Sequence, residues 1–235
     1  MKHLLFSEKQ KLADLIHINF KLLLVLPRFD IKLGFGDKNV AEVCEQEGTS
    51  TELFLLVCNI YTFDEYFPNQ GELSQIHIDD LTCYLQKSHD HYIKDQIPAI
   101  QAQLAELVRC YDPKQGALLT RFFEDYRAEV ANHLSYEENT VFPYILDLLK
   151  GKSSGNYSIE QFEANHSNIE DKLNDLKNII IKYLPGNCQP DLRNKILFNL
   201  FLLEEDLNKH SLFEDKILVP FVQRLENHNN EQEKI

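Results

Sequence analysis

The sequence predicts an all-α protein: a four-helix up-and-down bundle preceded by a small helical N-terminal unit. Three observations carry that expectation. Only 8 glycines occur in 235 residues, and no Val/Thr-rich alternating run is present to seed a sheet. Ser/Thr-x-x-Glu/Gln sequences, in which two side chains satisfy the free N–H groups of a helix start, recur along the chain. Beyond residue 79, apolar residues repeat at three- and four-residue intervals in four long segments joined by short breaks, as antiparallel neighbouring helices require.

The elements follow in order. Ser7-Glu8-Lys9-Gln10 and Thr49-Ser50-Thr51-Glu52 suit helix starts, and between them PRFDIKLGFGDKN reads as a loop. A short helix from Val40 is ended by Gly48. These pieces make the N-terminal unit, residues 1–75. The bundle is expected over residues 79–225. Asp79 or Asp80 caps a first long helix that runs to about Cys110, where YDPKQG breaks it. A second runs from about Ala117 to Leu149, and GKSSGNY links it to a third that opens at Ser158-Ile159-Glu160-Gln161. YLPGNCQPD breaks the chain again before a fourth helix from about Leu192 to Leu225. Pro98, Pro143 and Pro220 fall inside these spans and predict kinks. Residues 226–235, ENHNNEQEKI, have little to bury and are expected to fray.

Composition narrows the function classes. A formal charge of −13 and the absence of any Lys/Arg cluster argue against nucleic acid or an anionic membrane as the partner. No apolar run approaches the length of a membrane span, and the first residues turn charged too early for a secretory signal. The 5 cysteines are odd in number, scattered and in no CxxC pair. They predict neither a disulfide framework nor a zinc site, and so a reducing cytoplasm.

The chemistry lies on the inward faces. The first stripe is Ile93, Ile97, Ile100, Leu104 and Leu107, and four residues before it stands His89. The second is Phe122, Tyr126, Val130, His133, Glu137, Val141 and Ile145. The third is Phe162, His166, Ile169, Leu173, Leu176 and Ile180; the fourth is Leu200, Leu203, Leu207, His210, Glu214, Ile217 and Phe221. His89 and His133 are 44 positions apart, as are His166 and His210, and each second histidine has a glutamate four residues on. The pattern occurs once per helical hairpin, so a pseudo-two-fold bundle brings four imidazoles and two carboxylates to one level of the core. Burying those groups without partners costs several kcal/mol, about 3–5 for each broken charge pair, and metal ions satisfy them together. One inward histidine alone is more often a satisfied core residue; His3, His17, His77, His91 and His228 lack the pattern and are read that way. Six N/O ligands exceed one tetrahedral zinc site and suit a pair of iron or manganese ions.

The segments SHDHYIKDQIP, NHLSYEENTVFP, ANHSNIEDKL and KHSLFEDKILVP resemble the hemerythrin-like di-iron family, and the layout is similar to the bacterial RIC proteins, for repair of iron centres. The resemblance implies two iron ions, oxo- or hydroxo-bridged, held by His89, His133, His166 and His210, with Glu137 and Glu214 as bridges. It implies a non-haem di-iron protein of the nitrosative or oxidative stress response, assisting repair of damaged iron–sulfur centres by iron donation or NO/O2 chemistry. The gases and damaged iron–sulfur proteins are its expected partners. Two rival readings are a reversible O2/NO carrier or sensor without turnover and a metal-free helical interaction protein. The oxygen-carrier branch has a further histidine one turn after the third-helix ligand, where this chain has Glu170, a rim charge or a displaceable acid. The family's small leading domain normally holds adjacent cysteines; here Leu33-Gly34-Phe35-Gly36 stands in that place, and Cys44 alone persists. Docking or packing is then the expected role of the N-terminal unit.

Overall fold

The computed structural model describes residues 5–151, 157–165, 170–185 and 188–232, and the side chains of all of these except 165, 170, 171 and 230–232. Among them the fold is all-helical. An isolated bridge between Lys11 and Asn39 is the one piece of strand-like pairing among the described residues. No helix of the described residues is long and apolar enough to cross a membrane. The chain divides into two compact units, Met1–Ser88 and His89–Ile235.

The first unit contains α1 (Leu12–Ile18), α2 (Leu22–Val25), α3 (Val40–Glu47), α4 (Thr51–Thr62), α5 (Gln70–Leu73) and the start of α6 (Ile78–His91). Local chemistry sets these boundaries. Asn39 accepts from the Glu42 N–H while the Glu42 carboxylate reaches back to the Asn39 N–H, and Gly48 closes α3 in a left-handed conformation that a side chain would strain. Ser50, one residue after the expected position, caps α4 through the Leu53 N–H. α6 begins at Ile78, so Asp79 and Asp80 sit in its first turn, where negative charge favours the helix dipole. The division at Ser88, later than the break expected near residue 75, has a packing reason. Tyr84 stacks on Phe29 with ring centres 5.2 Å apart, and its hydroxyl lies 3.3 Å from that of Tyr61. Buried Arg28 donates to both hydroxyls.

The second unit is the bundle. Its helices are α7 (Ile97–Leu107), α8 (Pro113–Tyr136), α9 (Phe142–Leu149), α10 (Ile159–Asn165), α11 (Glu170–Asn178), α12 (Pro190–Phe213) and α13 (Val219–Gln232). Asp112 caps α8 through the Lys114 and Gln115 N–H groups, and Pro113 occupies the first helical position, where its missing N–H costs nothing. α7 packs on α8 and α12, and α11 packs on the same two, so the four long segments close a ring. Their inward residues, among them Ile100, Leu104, Phe123, Tyr126, Leu173, Leu176, Leu200 and Leu203, form one core. Polar ties cross each adjacent pair: Gln101 to Glu124, Asn199 to Gln103, Lys172 to Glu129 and Lys177 to Glu204.

The prolines are accommodated by π turns, one residue wider than α turns. Tyr92–Gln96, Glu137–Val141, Ile179–Tyr183 and Glu214–Leu218 are π-helical, and each ends two residues before a proline: Pro98, Pro143, Pro185 and Pro220. In an α-helix the proline ring would strike the carbonyl four residues back. Here the N–H groups of Ile97, Phe142, Leu184 and Val219 bond five residues back, which displaces that carbonyl and lets Pro98, Pro143 and Pro220 stay inside helical segments.

The extra residue also corrects the expected stripes. Tyr92, not Ile93, is buried in the first long segment, Ile93 being 37% exposed, and the core resumes five residues later at Ile97. In the fourth, Val222 is buried where Phe221 was expected, and Phe221 is only half-buried.

Two further expectations are corrected. Cys110 and Cys188 form a disulfide with Cα atoms 6.0 Å apart, joining the loop after α7 to the segment before α12. Scattered cysteines brought together by folding are invisible as a linear motif, and the cysteine argument for a reducing compartment fails for this pair. The tail is helical to Gln232, because its residues have tertiary partners. The Glu226 carboxylate accepts from the Tyr144 hydroxyl and the Ile159 N–H, and the Asn229 amide donates to the Leu148 carbonyl.

Candidate metal centre

The π turns position the site. Glu137 and Glu214 are each the first residue of one, and His133 and His210 stand four residues earlier at the ends of α8 and α12. His89 comes from the end of α6. Ligand atoms of His89, Glu137, His210 and Glu214, all buried, lie within 4.8 Å of one another. His133, on the other side of Glu137, places Nε2 at 2.7 Å from Glu137 Oε1. His166 lies outside the described residues, as does Ile169, and nothing is assigned to the Glu170 side chain. The structure therefore brings together five of the six residues expected at the site.

Glu137 is the centre of this arrangement. Oε1 faces His133, and Oε2 lies 3.0 Å from His89 Nε2 and 3.9 Å from His210 Nε2. His210 Nε2 is also 3.0 Å from Glu214 Oε1 and 3.1 Å from His89 Nε2. Neither Glu137 oxygen accepts a well-formed hydrogen bond among the described residues, although both are fully buried. The donor atoms converge on shared space instead of aiming at one another. Two donors on adjacent positions of an octahedral ion, with bonds of about 2.1 Å, stand about 3 Å apart. The residues present fit a cation.

Electrostatics agree with the geometry. Burial works against the Glu137 carboxylate, but His133, His210 and His89 hold it ionised well below the ordinary carboxylate range. Burial likewise opposes a charged His210, yet Glu214 and Glu137 push it up to about 10. His89 is raised against its own burial by Glu137 and Glu138.

Around the cluster, Phe142 stacks on the His89 ring at 5.5 Å and 17°, and Tyr92 meets His210 edge-on at 5.6 Å. The Tyr92 hydroxyl donates to the Asp206 carbonyl, which fixes the ring. Glu138, which the inward stripes do not include, places Oε1 2.8 Å from His89 Nδ1. Its position beside Glu137 was the only signal the sequence held for it. His91 lies outside the cluster and pairs with Asp95. A surface groove lined by Asp125, Glu129, Asn132, His133, Tyr136 and Lys172 reaches His133. In the N-terminal unit, burial pushes the Cys44 thiol up to about 11 and Cys58 well above its ordinary value, so neither is a ready thiolate at neutral pH.

Three helical segments that turn His89, His133, Glu137, His210 and Glu214 into a common core define a helical-bundle protein with a buried candidate cation site. A family model described as the hemerythrin HHE cation-binding domain matches residues 84–234, and the chain belongs to that family. Its domain binds metal cations, typically iron. No curated protein matches the chain.

Proposed function

We propose that the chain is a non-haem di-iron protein with His89, His133, His166 and His210 as imidazole ligands and Glu137 and Glu214 as carboxylate bridges. The observation that carries two ions over one is Glu137: it offers Oε1 toward His133 and Oε2 toward His89 and His210. A single ion uses one such side; a carboxylate with imidazoles on both sides suits two. When bound, the iron supplies redox and small-ligand chemistry. The protein's own residues hold the ions, orient the imidazoles and, through Phe142 and Tyr92, keep bulk water from the His89–His210 side.

The biological role we propose, following the resemblance to repair-of-iron-centres proteins, is a response to nitrosative or oxidative stress in which damaged iron–sulfur centres are repaired. The groove at His133 supports access by a small gas or a departing ion. Protein purified without chelator after iron-replete expression should contain about two iron atoms per chain by metal analysis. One zinc, or no metal, overturns the di-iron reading. The reduced protein should then react rapidly with NO or O2 in stopped flow and pass iron to an apo iron–sulfur protein. Reversible gas binding with no iron transfer assigns the chain to carriage or sensing instead.

A further inference from the structure

Each ring nitrogen of His89 faces a carboxylate from neighbouring residues of one π turn. Glu137 Oε2 stands 3.0 Å from Nε2, and Glu138 Oε1 stands 2.8 Å from Nδ1. Consecutive residues of an α-helix point about 100° apart and rarely embrace one ring; here both start the wide turn Glu137–Val141. The imidazole of His210 is held differently: its Nδ1 is buried and has no hydrogen-bond partner among the described residues.

We infer that Glu138 is a positioning residue of the metal centre, holding His89 by the nitrogen that faces away from the cluster and strengthening the donor nitrogen that faces into it. The chemistry is direct. A carboxylate only accepts, so Nδ1 of His89 carries the proton and donates it to Glu138. In the neutral ring Nε2 then bears the lone pair, aimed at the space shared with Glu137 and His210. Phe142, stacked on the ring, fixes its plane. The negative charge behind the imidazole makes it a stronger donor and favours the more oxidised state of the ion in front of it. Among the described residues His210 has no such carboxylate partner on Nδ1, so the two imidazoles are unequal donors. This inference rests on the metal-binding reading of the site.

The test uses the full chain with Glu138→Ala, which removes hydrogen bond and charge, and Glu138→Gln, which keeps an acceptor and removes the charge. Iron affinity is measured by competition with a chelator, the midpoint potential by spectroelectrochemical titration, and folding by melting of the metal-free protein. Glu138→Ala should weaken iron binding about 10- to 100-fold, Glu138→Gln less, and both should raise the potential. Metal-free melting should change little, because Glu138 is half-buried and 34% exposed. Wild-type protein that binds no iron overturns the metal reading itself. Wild-type protein that binds iron, with both variants unchanged in affinity and potential, overturns the role of Glu138 alone. So does a potential that stays fixed while metal-free stability falls, since that describes a packing residue.

Discussion

Glu137 has no exposed surface and meets three imidazoles, so its removal leaves His89, His133 and His210 without their shared carboxylate. Breaking a buried pair of this kind costs about 3–5 kcal/mol. Glu137→Ala should therefore lower the urea-unfolding free energy of the metal-free protein by that order and abolish iron retention. The same cluster sets a pH window for metal-free protein. Glu137 is depressed below 4.5, so its contribution is present above that value and is lost as pH falls through the folded pKa. His210 is raised from 6.5 to about 10, so its contribution is complete below 6.5 and is lost as pH rises through 10. Chelator-treated protein should be most stable, from these two groups, between about pH 4.5 and 6.5. A stability profile that climbs steadily from 6.5 to 10 contradicts this charge pairing.

The helical segments carry prolines that would ordinarily break them, and the wide turns upstream remove the clash. A proline in an α-helix interior costs about 3 kcal/mol, which its replacement by alanine would regain. In this fold the carbonyl that the Pro143 ring would strike is already displaced by the turn Glu137–Val141. Pro143→Ala should accordingly stay within about 1 kcal/mol of wild type, the small remaining term coming from the unfolded chain. A gain near 3 kcal/mol in urea unfolding would show that the turn does not relieve the ring. The turn also opens with Glu137, so the device that admits the proline also places the central carboxylate.

In the His89–Ile235 unit, Cys110 and Cys188 tie the loop after α7 to the segment before α12 across 78 residues of chain. A cross-link closing a loop of that length stabilises by about 4.5 kcal/mol at most in the chain-entropy account. Cys188→Ser, or reduction, should lower the melting temperature, compared in reducing and non-reducing buffer. Iron content should not change. Pro190 starts α12 and His210 lies 20 residues on, about 30 Å at the helical rise, so the tie is far from the cluster. Loss of iron on reduction would mean that the two ends of the bundle are coupled.

The sequence by itself determined the helical class, the family resemblance and five residues that the structure brings together. Those are properties of short repeats: a 3–4 apolar stripe makes a helix with one inward face, and a glutamate four places after a histidine shares that face. Equal spacing in the two hairpins predicts one level for both sets, and the structure brings His89, His133, Glu137, His210 and Glu214 together. Tertiary structure alone decided which neighbour is inside at each wide turn, and so that Tyr92 is buried and Ile93 is not. One extra residue in a turn rotates everything beyond it by about 100°, a shift that a stripe read at 3.6 residues per turn does not register. It also decided the grip of Glu138 on His89 and the union of Cys110 with Cys188. Both join positions far apart in the chain, and such pairings depend on how helices cross and where loops end, which no local pattern encodes.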